Sequence, residues 1–97
     1  MTRRLEVIRQ TLQEVLQPVV LEIHDDSASH ASHASARQTG GGHFYATIVA
    51  DAFDGKSRVQ RHQLVYRALG DLMRSEIHAI SIQAFTQSEY LLKESQT

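Results

Sequence analysis

Residues 43–70 decide the fold, and they read HFYATIVADAFDGKSRVQRHQLVYRALG. Over residues 43–53, apolar and polar side chains alternate with the period of a strand that buries one face. The apolar side chains predicted to share that face are those of Phe44, Ala46, Ile48 and Ala50. Asp54-Gly55 then predicts a turn, and Ser57 stands three residues before Gln60, which is the spacing of a helix capping box. The segment therefore predicts a strand, a turn and a helix in succession.

The helix that follows Ser57 is predicted to bury one side and to break at Gly70. Its predicted apolar side comprises Val59, Val65, Tyr66, Leu69, Leu72 and Met73. Residues 57–74 are also basic, although the formal net charge of the chain is -1. Such a helix suits contact with phosphates or with an acidic partner surface.

Upstream of this segment, the sequence predicts a helix from Thr2 that ends before Pro18, because proline disfavours helical geometry in the residue before it. A strand over Val19–Asp25 follows, with Val19, Leu21 and Ile23 on its apolar face. The stretch 26–42 is rich in Ser, Ala, His and Gly and predicts a long, flexible loop.

Downstream, alternating apolar residues predict a strand over Ile77–Phe85. Thr86 and Glu89 repeat the capping-box spacing and predict a short helical tail over 86–97. The order of elements is α-β-β-α-(α)-β-α. It predicts one α+β domain over residues 1–97, with a single three-stranded mixed sheet packed on helices.

Composition narrows the functional classes. The chain of 97 residues contains no cysteine, which excludes a disulfide scaffold and a thiolate metal site made by this chain alone. No stretch is long and apolar enough to cross a membrane, so we expect no membrane association and a cytoplasmic location. No set of nucleophile, base and carboxylate is visible, and the sequence therefore predicts a protein that is not an enzyme.

Histidine is abundant, with six residues in the chain. His78 at the start of the third strand fits either a metal ligand or a partly buried side chain that hydrogen-bonds to the backbone. His30 and His33 fit either a solvated loop or a pair of loop ligands. His62 lies near the middle of the predicted apolar side, so we expect it to be structural and to tie the helix to the sheet. His43 is predicted to lie at the junction of loop and strand.

The stretch from Phe53 to Tyr66 resembles the signature of the BolA-like family. Three further pieces match in register, namely Asp26–His30, Gly42–Phe44 and Ile77–Ile80. The resemblance covers residues 5–89. One departure is Gln63, where the family usually has the second arginine of an Arg-His-Arg triplet.

The resemblance implies a fold like the type II KH domain, without its nucleotide-clamping loop. It also implies a monothiol glutaredoxin as partner, with a 2Fe–2S cluster shared between the two proteins. The glutaredoxin would supply its cysteine and a glutathione thiolate, and the BolA-like chain would supply a loop histidine and the histidine before the third strand. Carried over, these two ligands are His30 and His78, with His33 as the alternative loop ligand. On this expectation the isolated chain binds no cluster.

The helix that carries Arg58, Arg61 and Arg67 would dock the partner. Some BolA-like proteins are similar to DNA-binding transcriptional regulators, and the same basic helix over 57–74 would then contact DNA. A third interpretation of the histidines is a zinc site made by His30, His33 and His78. The sequence leaves homodimerisation open.

Overall fold

The computed structural model describes residues 3–25 and 43–95. Its elements follow the predicted order. Three strands, four α-helices and one short 3₁₀ helix make up the described chain: α1 (Arg3–Leu16), β1 (Val20–Asp25), β2 (His43–Val49), the 3₁₀ helix (Asp51–Phe53), α2 (Arg58–Leu69), α3 (Leu72–Ser75), β3 (Ala79–Phe85) and α4 (Gln87–Ser95). The α+β class and the three-stranded mixed sheet are confirmed, whereas the KH-like label stays a prediction.

The sheet has the order β1-β2-β3. β1 pairs with β2 antiparallel, and β2 pairs with β3 parallel, from His43 opposite Ala79 to Val49 opposite Phe85. A parallel pair needs a crossover connection, and α2 with α3 supplies it. The parallel register brings the first residue of β2 beside the residues that enter β3.

The core lies between one face of the sheet and the helices α1 and α2. The buried apolar side chains that form it include Ile8 and Leu12 from α1, Phe44, Ala46 and Ile48 from β2, and Val65 and Leu69 from α2. The alternation predicted for β2 is therefore confirmed. On the other side of the sheet, α4 contacts β3 through Tyr90, whose ring centroid lies 5.9 Å from that of Phe85.

Both predicted capping boxes are present. The Ser57 hydroxyl accepts from Gln60 N–H at 3.2 Å, and the Gln60 side chain accepts from Ser57 N–H at 2.9 Å. In the second box, Glu89 Oε1 accepts from Thr86 N–H at 3.0 Å, and the Thr86 hydroxyl accepts from Glu89 N–H at 3.3 Å. These bonds satisfy donors that the first turn of a helix leaves without partners, and they fix where α2 and α4 begin.

Several predicted details of the elements are wrong. β2 ends at Val49 rather than Phe53, because a 3₁₀ turn over Asp51–Phe53 carries the Phe53 ring into the core. β3 begins at Ala79, two residues later than predicted.

On α2, Val59 and Tyr66 are exposed, with 65% and 42% of their surface accessible. The helix buries Val65 and Leu69 instead, so its buried stripe is narrower than the apolar pattern indicates. Val19 lies before β1 and is also exposed.

The predicted loop over 26–42 and the last two residues of the tail lie outside the described residues. Within the described ranges, no helix is both long enough and apolar enough to cross a membrane.

Candidate functional site

Two histidines, one in β2 and one just before β3, meet at one end of the sheet. His43 opens β2, and His78 immediately precedes β3. Their ring centroids lie 4.9 Å apart, with an angle of 51° between the ring planes. His78 is exposed and His43 is half-buried. The imidazole of His78 is therefore accessible from solvent while its backbone is held at the edge of the sheet.

The two candidate loop ligands, His30 and His33, lie outside the described residues. The structure shows where the loop leaves and rejoins the sheet: it departs after Asp25 and returns at His43. Because Asp25 pairs with Phe44 in the antiparallel register, both ends of the loop lie at the same end of the sheet as His78. The assignment of either loop histidine as a ligand stays a prediction.

His62 connects α2 to the edge strand. Its Nε2 lies 3.2 Å from the carbonyl oxygen of Ile82 in β3. A carbonyl oxygen only accepts hydrogen bonds, so Nε2 carries the hydrogen in this contact. The side chain is half-buried. This position suits a residue that holds the helix against the sheet, which is the role we expected for it.

Arg61 makes an ion pair with a residue from the end of the chain. Its guanidinium donates to both carboxylate oxygens of Glu89, at 2.7 and 3.0 Å. The same side chain donates to the carbonyl oxygens of Lys56 and Ala84, at 3.0 and 3.1 Å. The side chain of Arg61 is only 13% exposed. Most of its hydrogen-bonding capacity is therefore used inside the molecule.

The ion pair changes the chemistry of Glu89. Hydrogen bonds from Arg61, followed by the bond from the Thr86 backbone, lower the pKa of this carboxyl from 4.5 to about 2. Glu89 is therefore ionised throughout the physiological range. No sequence pattern predicts this contact, since the two residues are 28 positions apart and belong to separate helices.

The other two arginines predicted to contact a partner are exposed. Arg58 lies in the first turn of α2 and Arg67 in its last turn. Arg58 and Lys56 line an open groove of about 540 Å³ between α2 and β3, whose opposite wall includes Gln83 and Phe85. The exposed positive charge of α2 is thus carried by Arg58 and Arg67, with Lys56 just before the helix, whereas Arg61 is already paired with Glu89.

Among residues 3–25 and 43–95, no group of three or more His, Asp or Glu side chains is arranged to hold a metal ion. At this end of the sheet the described residues bring two imidazoles together, those of His43 and His78. The residue that sequence reasoning left without a function is His43. The parallel register between β2 and β3 places it beside His78, and that register requires the tertiary structure.

The chain is a small α+β domain with a three-stranded mixed sheet, and a histidine precedes its third strand. A family model described as "BolA-like protein" matches residues 12–89. The chain belongs to the BolA-like family.

Individual relatives agree with this assignment. The chain is 48% identical over 86 residues to SufE-like protein 1 of Arabidopsis thaliana, covering 84% of this chain and 23% of that protein. It is 37% identical over 83 residues to BolA-like protein 1 of Mus musculus, covering 86% of this chain and 58% of that protein. The chain therefore spans about a quarter of the first relative and little more than half of the second.

The structural comparison identifies the same family. The BolA domain of SufE1 from Arabidopsis thaliana superposes with a TM-score of 0.79 and 44% identity, covering 92% of this chain and 98% of that domain. The first Arabidopsis relative is named as chloroplastic/mitochondrial. That name does not fit a plain cytoplasmic location, and the location of this chain stays a prediction.

Proposed function

We propose that this chain is a non-catalytic adaptor that shares a 2Fe–2S cluster with a monothiol glutaredoxin. His78 is the framework ligand, and His30 is the loop ligand, with His33 as its alternative. The position of His78 carries the proposal: an exposed imidazole immediately before a strand of the sheet, at the end where the 26–42 segment leaves and returns.

The donor set fits such a cluster. The chain contains no cysteine, so it offers imidazole nitrogens while the sulfur donors come from the glutaredoxin and its glutathione. Histidine replaces two cysteines on one iron in Rieske centres, where it raises the reduction potential. Imidazole must be neutral to ligate, and acid therefore weakens assembly. Membership of the BolA-like family supports this function over an enzymatic one.

The experiment is reconstitution of the heterocomplex. The chain is mixed with a monothiol glutaredoxin, glutathione, iron and sulfide, and the visible absorption and circular dichroism spectra are recorded. We expect His78→Ala to lose the spectrum of the mixed-ligand cluster. The matched control is His24→Ala, which removes an exposed histidine from β1 and should leave the spectrum unchanged. A wild-type spectrum from His78→Ala would exclude this residue as a ligand.

The loop assignment has its own comparison. His30→Ala should change the cluster spectrum and His33→Ala should leave it unchanged, if His30 is the ligand. The reverse result would assign His33. If both His30→Ala and His33→Ala kept the wild-type cluster spectrum, neither loop histidine would be a ligand. His78 would then lack its predicted second ligand from this chain.

A second candidate function is regulation of transcription through DNA binding. The chain is 31% identical over 85 residues to the DNA-binding transcriptional regulator BolA of Escherichia coli. The exposed charges of Lys56, Arg58 and Arg67 support this alternative. Arg61 supports the DNA-binding alternative less than these residues do, because its guanidinium is paired with Glu89.

Duplex binding with a steep salt dependence is the expected behaviour of this alternative. Replacing Arg58 and Arg67 by alanine should weaken binding and flatten the slope of affinity against salt. Arg74→Ala is the matched control, since Arg74 is an exposed arginine on α3 that pairs with Asp71 at 3.1 Å. Equal losses in both variants would indicate a charge effect without a defined contact surface.

A further inference from the structure

We propose that His43 and His78 form a two-imidazole site that binds one zinc ion on the isolated chain. This site needs neither a glutaredoxin nor the loop histidines, and it does not depend on the shared cluster. His43 then has a function of its own, beyond marking the start of β2.

The separation of the rings matches shared coordination. With metal–nitrogen bonds of about 2.0–2.1 Å, two imidazoles on one tetrahedral ion hold their ring centroids about 5 Å apart. The centroids of His43 and His78 are 4.9 Å apart. The ring planes are tilted by 51° rather than stacked in parallel.

The backbone that carries the pair is already ordered by the sheet. His43 is paired with Ala79, the residue next to His78, and the parallel ladder continues from there to Val49 and Phe85. Metal binding therefore does not have to bring two distant segments together. A preorganised pair of ligands loses less conformational entropy on binding than two ligands on flexible segments.

The two imidazole ligands favour some metal ions over others. Imidazole nitrogen suits zinc, copper and nickel, whereas magnesium and calcium prefer oxygen donors. Within residues 3–25 and 43–95, no third His, Asp or Glu joins the pair. The proposed site therefore consists of two imidazoles, and we expect water at its remaining positions. His78 is exposed and His43 half-buried, and an ion can reach the pair directly from solvent. We expect saturable binding that is weaker than that of a structural zinc site with four protein ligands.

The test is a titration of the full chain with zinc chloride alone. Calorimetry measures the stoichiometry, and two-bond ¹H–¹⁵N spectra of the imidazoles identify the nitrogens that bind. We expect one zinc ion per chain and changed nitrogen shifts at His43 and His78. His78→Ala and His43→Phe should each abolish this saturable binding. The phenylalanine keeps an aromatic ring beside His78 and removes both nitrogen donors, which separates ligation from ring packing.

Two controls separate this site from other histidines. His24→Ala removes a histidine from the neighbouring strand and should leave the stoichiometry unchanged. A chain carrying both His30→Ala and His33→Ala should still bind one zinc ion. Circular dichroism in the far ultraviolet verifies that each variant is folded.

Specific results would contradict the zinc-site proposal. Absence of zinc binding by the wild-type chain, or unchanged binding by folded His43→Phe, would overturn the proposal. Loss of binding only in the loop variant would assign the zinc to His30 and His33. Because no glutaredoxin, iron or sulfide is present, either result leaves the shared-cluster proposal to its own experiment.

Discussion

Arg61 and Arg58 lie three positions apart on α2 and have different surroundings. Arg58 is exposed beside the groove, whereas the Arg61 guanidinium is held between Glu89 and two backbone carbonyls. One of these carbonyls belongs to Ala84 in β3, and the His62 imidazole hydrogen-bonds to another carbonyl of β3, that of Ile82. Arg61 and His62 thus donate hydrogen bonds to backbone carbonyls of β3, which is an edge strand. Without these bonds, the carbonyls would be available for pairing with a strand of another chain.

Glu89→Gln tests how much the charge of the Arg61 ion pair stabilises the fold. The glutamine can keep a hydrogen bond while the negative charge is lost. Because the Glu89 side chain is 45% exposed, solvent screens the pair. We expect a loss of about 0.5–1 kcal/mol at neutral pH, measured by urea denaturation.

The pH dependence of that loss follows from the lowered pKa of Glu89. A carboxyl with a lowered pKa stabilises the fold above its unfolded pKa, and this contribution disappears as the pH falls through the folded value. The difference between wild type and Glu89→Gln should therefore shrink as the pH falls from 4.5 towards 2. A difference that stays constant over this range would show that the effect of the substitution is not electrostatic.

The limits of prediction at this scale follow from distance along the chain. The capping pairs could be predicted because both partners lie within one helical turn. Arg61 and Glu89 could not, since their contact requires α2 and α4 to approach the same strand. His62 was expected to touch the sheet, but its acceptor, Ile82 O, became known only with the structure.

The elements of this fold begin and end at local signals. Gly70 separates α2 from α3 and has φ = 55° and ψ = -127°, a conformation that side chains with a Cβ rarely adopt. Its N–H still donates to the carbonyl oxygen of Tyr66, at 3.0 Å. This break allows the crossover connection to turn back towards β3. The predicted break of the helix at Gly70 is therefore confirmed.

Gly70→Ala should destabilise the protein through backbone strain rather than through a clash. A Cβ at this position would meet only the Arg67 carbonyl oxygen, at the ordinary distance of 3.9 Å. We expect a loss of about 1–3 kcal/mol in the free energy of unfolding. Ala68→Gly, in the last turn of α2, tests the opposite change and should cost about 0.5–1 kcal/mol through backbone entropy. Unchanged stability of Gly70→Ala would mean that the break tolerates other conformations.

Alternation predicted the strands better than periodicity predicted the buried side of α2. Every second residue of β2 faces the core because the sheet packs against helices on that face. The helix instead meets the core over a limited stripe, and Val59 in its first turn is exposed. Hydrophobic spacing shows which side chains share a side of a helix, but not how far the neighbouring elements extend along it.

At the scale of the whole molecule, the parallel crossover determines which histidines meet. His43 and His78 belong to segments separated by α2 and α3, and the pairing of β2 with β3 brings them together. The sequence predicted both strands, but it did not define their register. The candidate ligands could therefore be named individually from the sequence, whereas their pairing required the fold.

The core and the histidine pair can be tested separately. Ile48 is fully buried in the central strand, between Leu21 on β1 and Ala84 on β3. Ile48→Ala removes buried apolar surface and leaves a cavity, and we expect a loss of about 2–5 kcal/mol. That is a large part of the roughly 5–15 kcal/mol by which domains of this kind are stable. Gln83→Ala, at an exposed position of β3, should cost less than about 0.5 kcal/mol.

Zinc then shows whether the site survives in the weakened fold. A ligand that binds only the folded state raises the melting temperature by mass action. Because Ile48 lies near the opposite end of β2 from His43, the folded Ile48→Ala chain should keep one zinc site, and zinc should raise its lowered melting temperature. Thermal denaturation with and without zinc chloride measures both effects. If folded Ile48→Ala bound no zinc, the geometry of the pair would depend on packing throughout the sheet rather than on the register at its end.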